Sequence, residues 1–294
     1  MQREAPSSRC KVYPKKELQM KHKLLKYGLV FAFFLGITLI LYPPVSDYIN
    51  TRNQSRVVQN YQDTVSEISD NEKEEILLGA AEYNRRLSET PGAFYEPELV
   101  PGYAEALDVT GTGIMGYLNI DKIHLELPVY HTVEPEVLQI AVGHLPGTSL
   151  PVGGMGCHTV ISGHRGLPNA KLFSDLNKLE IGDRFTITVL DEVFTYQVER
   201  TETVEPYEVD NLQIEPGEDL CTLFTCTPYG VNTQRLFVRG KRVPNDKLEE
   251  RRVYYKNEAY RVTPAIVAPV IAAPVLLILY VLMIVFGNRK QRKH

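Results

Sequence analysis

Three side chains in this sequence have the types that acyl-transfer chemistry requires: a thiol at Cys226, an imidazole at His164 and a guanidinium at Arg235. Cys226 closes the stretch Thr222-Leu223-Phe224-Thr225-Cys226, which reads as a short buried strand that Pro228 and Gly230 break at once. A cysteine at the lip of a strand can meet a substrate while its backbone stays fixed. Such a thiol becomes a useful nucleophile when a cationic or basic neighbour favours its thiolate. Histidines stand at 124, 131, 144, 158 and 164. His164 is the best partner on local grounds, because it follows a candidate strand and is bracketed by Gly163 and Gly166, which let the backbone turn and leave the ring uncovered. His158 reads as structural, and His144, ahead of a Leu-Pro-Gly turn, as a loop cap. Arg235 opens the strand after loop 227–234; if that strand pairs antiparallel with the cysteine strand, Arg235 lies across from Cys226. A permanently charged, multi-donor group there could hold a carbonyl or a developing oxyanion. No carboxylate third member is evident and no zinc-ligand spacing such as His-Glu-x-x-His occurs, so neither metal nor cofactor is expected and the set fits a thioester route.

These side chains need a rigid frame, and the texture from Met115 to Arg242 is β. Candidate strands are 116–120, 125–130, 159–162, 184–190, 193–200, 219–226 and 235–242, with a tight hairpin turn at 190–193 and short helices at 135–142 and 171–176. Seven or eight short strands with few helices predict a closed or partly closed barrel. Ahead of it, residues 54–87 keep helical spacing through Val57, Val58, Tyr61, Val65 and Ile68, then Ile76, Leu77, Ala80, Ala81 and Tyr83, with Ser69-Asp70-Asn71 as the break. This is either a helical arm packed on the main domain or a solvated stalk. Residues 88–112 are irregular and rich in Pro and Gly, which marks a lid, a binding loop or a linker; Phe94 and Tyr95 are the aromatics at its centre. A plain surface-loop anchor is the other reading of that pair.

The net charge of −4 conceals a distribution. Residues 1–26 carry +6 and residues 288–294 carry +4, which leaves the remainder at −14, a poor nucleic-acid binder. The basic ends flank two uncharged runs, twenty residues at 27–46 and twenty-seven at 262–288. Each is long enough for a transmembrane helix, and the positive-inside rule puts both termini in the cytoplasm and the rest outside. A cleaved signal peptide is the alternative for the first run. Cys157, Cys221 and Cys226 then fall on the outer, usually oxidising side, an odd number. Cys221 and Cys226 on one strand point to opposite faces about 16 Å apart, too far for a disulfide.

The motifs resemble those of the sortases, specifically the pilin-polymerising class C. The resemblance rests on Ser162-Gly163-His164-Arg165-Gly166, on Thr222-Leu223-Phe224-Thr225-Cys226 against a Thr-Leu-x-Thr-Cys pattern, and on Val231-Asn232-Thr233-Gln234-Arg235-Leu236. Gly143-His144 and Leu150-Pro151-Val152-Gly153-Gly154 also read like class C. The resemblance implies a mainly β fold: an eight-stranded sortase β-barrel with short helices, an N-terminal helical arm and two transmembrane helices. The implied layout is a leader (1–26), a signal anchor (27–46), a helical region (47–88), a candidate lid (89–112), the barrel (113–245), a juxtamembrane segment (246–261), a second span (262–287) and a basic tail (288–294).

The implied activity is that of a Gram-positive, two-pass membrane transpeptidase, hydrolase-like in its cysteine chemistry. It would cleave an LPxTG-like sorting signal between Thr and Gly and join pilin subunits to an acceptor lysine, with no nucleic acid as partner. Cys226 would be the nucleophile, His164 the acid/base partner and Arg235 the oxyanion stabiliser. A cell-wall-anchoring sortase, a thiol hydrolase and a silent pilin-recruiting scaffold are the competing readings. One departure stands out: class C lids usually carry Asp-Pro and an aromatic, and no Asp-Pro occurs in this chain, so either Phe94 or Tyr95 forms a modified lid, which is the expectation, or the site is open.

Overall fold

Runs of β-branched and aromatic residues cut by glycine and proline turns produce eight strands in the computed structural model, which describes residues 15–246 together with residues 276 and 280. They are β1 (Ile114–Ile120), β2 (Leu125–Tyr130), β3 (Val142–His144), β4 (Cys157–Gly163), β5 (Arg184–Val189), β6 (Glu192–Val204), β7 (Asp219–Thr227) and β8 (Gln234–Arg242). The order β1-β2-β3-β4-β7-β8-β6-β5 closes on itself, with β5 returning to β1. Eight strands give an interior just wide enough for side chains to fill. Leu118, Ile120, Ile161, Ile187, Leu223 and Val238 are fully buried in the main core, each worth roughly 1.5–3 kcal/mol of burial.

The expected helix over 135–142 is one turn only, α3 (Pro135–Leu138), and Val142 instead starts β3. Three residues carry no legible strand signal of their own. β3 exists because neighbours hold it on both edges, parallel to β2 through Val129↔Val142 and antiparallel to β4 through Val142↔Gly163. The hairpin at Leu190-Asp191 joins β5 to β6 as the sequence predicts, with Leu190 in the left-handed region at φ 52°.

Two long helices precede the barrel: α1 (Lys15–Glu67) and α2 (Asp70–Glu89). Ser69 separates them and caps α2, its Oγ accepting from the Glu72 amide. The arm is packed rather than solvated. Val58, Tyr61 and Val65 of α1 and Ala80, Tyr83 and Leu87 of α2 are buried in the main core. The Tyr61 hydroxyl donates to the Met115 carbonyl (3.0 Å) and accepts from the Leu190 amide (2.8 Å), which ties α1 to β1 and to the β5–β6 turn. Asn84 of α2 exchanges two hydrogen bonds with the backbone of Leu150, at 3.0 and 2.7 Å. Lys73 pairs with Asp191.

Within the Leu24–Glu67 part of α1 an 18-residue window has a mean hydropathy of 2.2, so the helix is long and apolar enough to cross a membrane. The barrel unit begins at Val45. The second apolar run, expected to span at 262–287, lies outside the described residues except for residues 276 and 280.

Candidate active site

Strand register pairs two of the sequence-predicted residues and sets the third just past the end of a neighbouring strand. Cys226, near the end of β7, is paired with Arg235 at the start of β8. β4 runs parallel to β7, and its last register pair is Ser162↔Phe224. One step on, the Thr225 hydroxyl donates to the Gly163 carbonyl at 2.6 Å. His164 is the first residue after β4. Cys226 and Arg235 therefore sit on adjacent strands at the usual separation of about 5 Å, and His164 leaves the strand on the other side of β7.

Cys226 and Arg235 also share a face. Side chains alternate along a strand, so Phe224 points the same way as Cys226, and Phe237 the same way as Arg235. Ile161 and Leu223, of opposite parity to Val160 and Phe224, are buried in the main core, whereas Val160, Phe224 and Phe237 form a separate apolar patch with Val204 and Leu212. Cys226 and Arg235 thus project outward beside this patch. His164, Cys226 and Arg235 are all half-buried.

Local packing fixes each backbone. A Cβ on Gly163 would come 2.6 Å from the Phe173 ring, so only glycine lets the chain pass there immediately before His164. The Phe173 amide then donates to the His164 carbonyl at 3.0 Å. The loop that continues from His164 is held from below by α1: Asp47 accepts from the Lys171 amide (2.7 Å) and Asn50 donates to the Asn169 carbonyl (2.6 Å). Sequence periodicity contains no trace of that support, because it depends on two polar residues meeting a loop more than a hundred positions away.

Partial burial lowers the His164 pKa below its ordinary 6.5 and favours the neutral ring at pH 7. The Arg235 guanidinium donates from Nη1 to the carbonyls of Asn232 (3.3 Å) and Gln234 (3.1 Å), and it makes no ion pair among the described residues. The other cysteines are placed differently. Cys157 and Cys221 are buried, and burial pushes both thiols up, Cys221 strongly. Cys221 and Cys226 lie on one strand, and Cys157, Cys221 and Cys226 are all free thiols. Among the described residues no group of three or more His, Cys, Asp or Glu side chains is arranged to hold a metal ion.

Three other histidines, His131, His144 and His158, hold structure. His158 Nδ1 donates to the Gln213 carbonyl and Nε2 accepts from the Thr222 hydroxyl, both at 2.8 Å. His131 is tied to the carbonyls of Gly113 (3.0 Å) and Ala106 (2.8 Å), which anchors the loop ahead of β1. His144 is fully buried; Nε2 meets the Ser149 carbonyl at 2.8 Å and Nδ1 the Tyr103 hydroxyl at 3.0 Å. Burial depresses its pKa from 6.5 to about 4. Between those values the unfolded chain binds a proton that the native protein refuses. Stability therefore falls as pH drops from 6.5 to about 4 and levels off below, by on the order of 3 kcal/mol in all. Urea midpoints measured across this window should show the decline, and His144→Gln should flatten it.

Phe94 and Tyr95 lie near this face. Phe94 is half-buried and packs on the patch of Val160, Val204, Leu212 and Phe237, beside Phe224. Its backbone runs hard against Gly147, where a Cβ would come 2.6 Å from the Phe94 carbonyl oxygen. Tyr95 is exposed, stacks edge-on against Phe94 at 5.0 Å, and accepts from Gln213 at 3.3 Å. The apolar patch itself went unread in the sequence, although the alternation that yields Cys226 also yields Phe224.

A closed eight-stranded barrel with a thiol and a guanidinium on paired strands, and an imidazole just past the end of the next one, has clear relatives. A family model for the sortase domain matches residues 118–243. Sortase C1 from Streptococcus agalactiae is 46% identical, with 65% of this chain and all of that one aligned at a TM-score of 0.60. Sortase C from Streptococcus pneumoniae, whose structure addresses catalysis and pilin substrate specificity, is 44% identical over 65% of this chain and 97% of that one, again at 0.60. Sortase D of Bacillus subtilis (strain 168) is 29% identical over 131 residues, 44% of this chain and 63% of that protein, so the match spans less than two thirds of that relative. The chain belongs to the sortase family. Its solved structural neighbours are class C sortases.

Proposed function

We propose that this chain is a membrane-anchored cysteine transpeptidase of pilus assembly, and that Cys226, His164 and Arg235 carry the reaction. The observation that bears most weight is the register: Cys226 of β7 is paired with Arg235 of β8, and His164 directly follows β4, the strand parallel to β7 on its other side. The class C neighbours, one of them studied for pilin substrate specificity, support the choice of substrate.

In this reading Cys226 attacks the carbonyl between Thr and Gly of an LPxTG-like signal. His164, neutral at rest, takes the thiol proton and gives it to the departing glycine amine. The sulfur keeps the Thr acyl group as a thioester. A lysine amine of the next pilin then attacks, its proton passes to His164, the sulfur leaves, and an isopeptide bond remains. The Arg235 fork stabilises the oxyanion in both halves. The apolar span at 27–46 in α1 anchors the enzyme, and the run at 262–287 supplies a second pass, with both termini cytoplasmic.

Phe94, with Tyr95 beside it, serves as the lid in place of the usual Asp-Pro element, by filling the apolar patch next to the thiol. Phe94→Ala should therefore raise the rate at which a small neutral alkylating reagent labels Cys226, by roughly three- to tenfold if the loop gates access. An unchanged labelling rate would remove the lid from the account.

Product analysis tests the function as a whole. The full chain in detergent or vesicles, incubated with a pilin that bears the signal, should yield oligomers whose tryptic digest contains Thr joined to a lysine side chain. A free Thr carboxylate as the sole product would make the enzyme a hydrolase.

A further inference from the structure

The β4–β7 ladder stops at Ser162↔Phe224, just short of the two residues whose separation matters most, and the last tie is the Thr225 hydroxyl to Gly163. Past that point one side chain crosses the gap. Arg165, next to His164, donates from Nη1 to the hydroxyl of Thr227, next to Cys226, at 3.1 Å. Its Nη2 donates to Asn177 Oδ1 at 3.0 Å, on the short 3₁₀ stretch Leu172–Lys178. Its guanidinium carbon lies 5.9 Å from the centre of the Tyr229 ring, on the turn that follows β7. The Nε–H is buried without an acceptor, so the two Nη contacts and the ring determine where the group sits. The same 3₁₀ stretch grips the histidine segment from the other side, through the Phe173 amide to His164 and the Gly166 amide to Ser174 Oγ at 3.1 Å.

We propose that Arg165 is a positioning residue which sets the spacing of His164 and Cys226 by bridging the histidine segment, the 3₁₀ stretch and the end of β7. The inference rests on the transpeptidase reading above. The planar fork suits the task because two separate acceptors and a ring face are met at once; a lysine has its three donors on one nitrogen and lacks the fixed planar spread that reaches all of them. Arg165 itself touches neither sulfur nor substrate in this scheme, so its loss should slow the chemical step and leave binding of the sorting signal unaltered.

The test compares wild type, Arg165→Gln, Arg165→Lys, Thr227→Val and the Arg165→Gln/Thr227→Val double variant of the full chain on a peptide carrying an LPxTG-like signal, with Cys226→Ala alongside. Arg165→Gln should lower kcat about 10- to 100-fold, the scale of a misplaced reacting pair, with KM within about twofold. Arg165→Lys should fail to restore it. Thr227→Val should reproduce much of the loss, and the double variant should be no slower than Arg165→Gln, since one bridge can be broken only once. Melting temperatures should stay together; should Arg165→Gln fail to fold, Thr227→Val and Arg165→Lys decide the matter alone. A wild-type kcat for Arg165→Gln, rescue by lysine, a loss confined to KM, or losses that multiply in the double variant would each overturn the proposal. Activity that survives Cys226→Ala would sink the transpeptidase reading and this inference with it, whereas a wild-type Arg165→Gln beside a dead Cys226→Ala sinks the inference alone.

Discussion

Cys226→Ala is expected to abolish thioester formation and pilin joining, a fall on the order of 10⁴-fold or more, as when a covalent nucleophile is lost. The same substitution at Cys157 or Cys221 should leave the rate near wild type. The contrast follows from where strand alternation puts each sulfur. Cys157 and Cys221 are buried, and burial keeps their thiols protonated. Cys226 lies near the end of β7, half-exposed and paired with Arg235 of β8. Its side chain is not needed to fill the barrel, so Cys226→Ala should melt close to wild type. The rate loss would then report chemistry rather than unfolding. Small alkylating reagents should label Cys226 first among the three thiols; a Cys226 that resists them would favour a silent recruiting scaffold instead.

Arg235 carries the second large effect. Arg235→Ala should cost about 10²- to 10³-fold in kcat, the range for removing one oxyanion donor. Arg235→Lys should recover little of it. The guanidinium is already steered by the carbonyls of Asn232 and Gln234, which hold one nitrogen and leave the others free to meet a substrate, on the strand position paired with Cys226. An ammonium on a flexible stem keeps the charge and loses that orientation. The loss should appear in thioester formation and in its aminolysis alike, because both pass through an oxyanion at the same carbon. A variant slow in one half only would assign Arg235 to substrate binding and leave the oxyanion to backbone amides.

Much of this centre was legible in the amino-acid order because it depends on a period of two. Strands through 219–226 and 235–242 put Cys226 opposite Arg235 on alternation and an antiparallel turn alone, and the structure has that pairing. Opposite faces for Cys221 and Cys226 follow from the same arithmetic. The elements that escaped are those made by tertiary context. Val142–His144 is a strand only because β2 and β4 flank it. Asp47 and Asn50 support the histidine loop through contacts that no local pattern announces. The helical break at Ser69-Asp70-Asn71 is legible in the sequence, while the choice between stalk and packed arm depends on Tyr61 and Tyr83 being inside the core. The aromatic pair at 94–95 stands out by composition, but the seat of Phe94 on Val160 and Phe237 is a tertiary contact that no local pattern announces.

The most direct measurement of the central claim is the intact mass of the full chain after brief incubation with an LPxTG-like peptide and no amine acceptor, followed by peptide mapping. The account predicts an added mass equal to the acyl portion ending in Thr, located on Cys226, removed by hydroxylamine at neutral pH and missing in His164→Ala and Cys226→Ala. An acyl adduct mapped to any other residue, or undiminished adduct in His164→Ala, would contradict it.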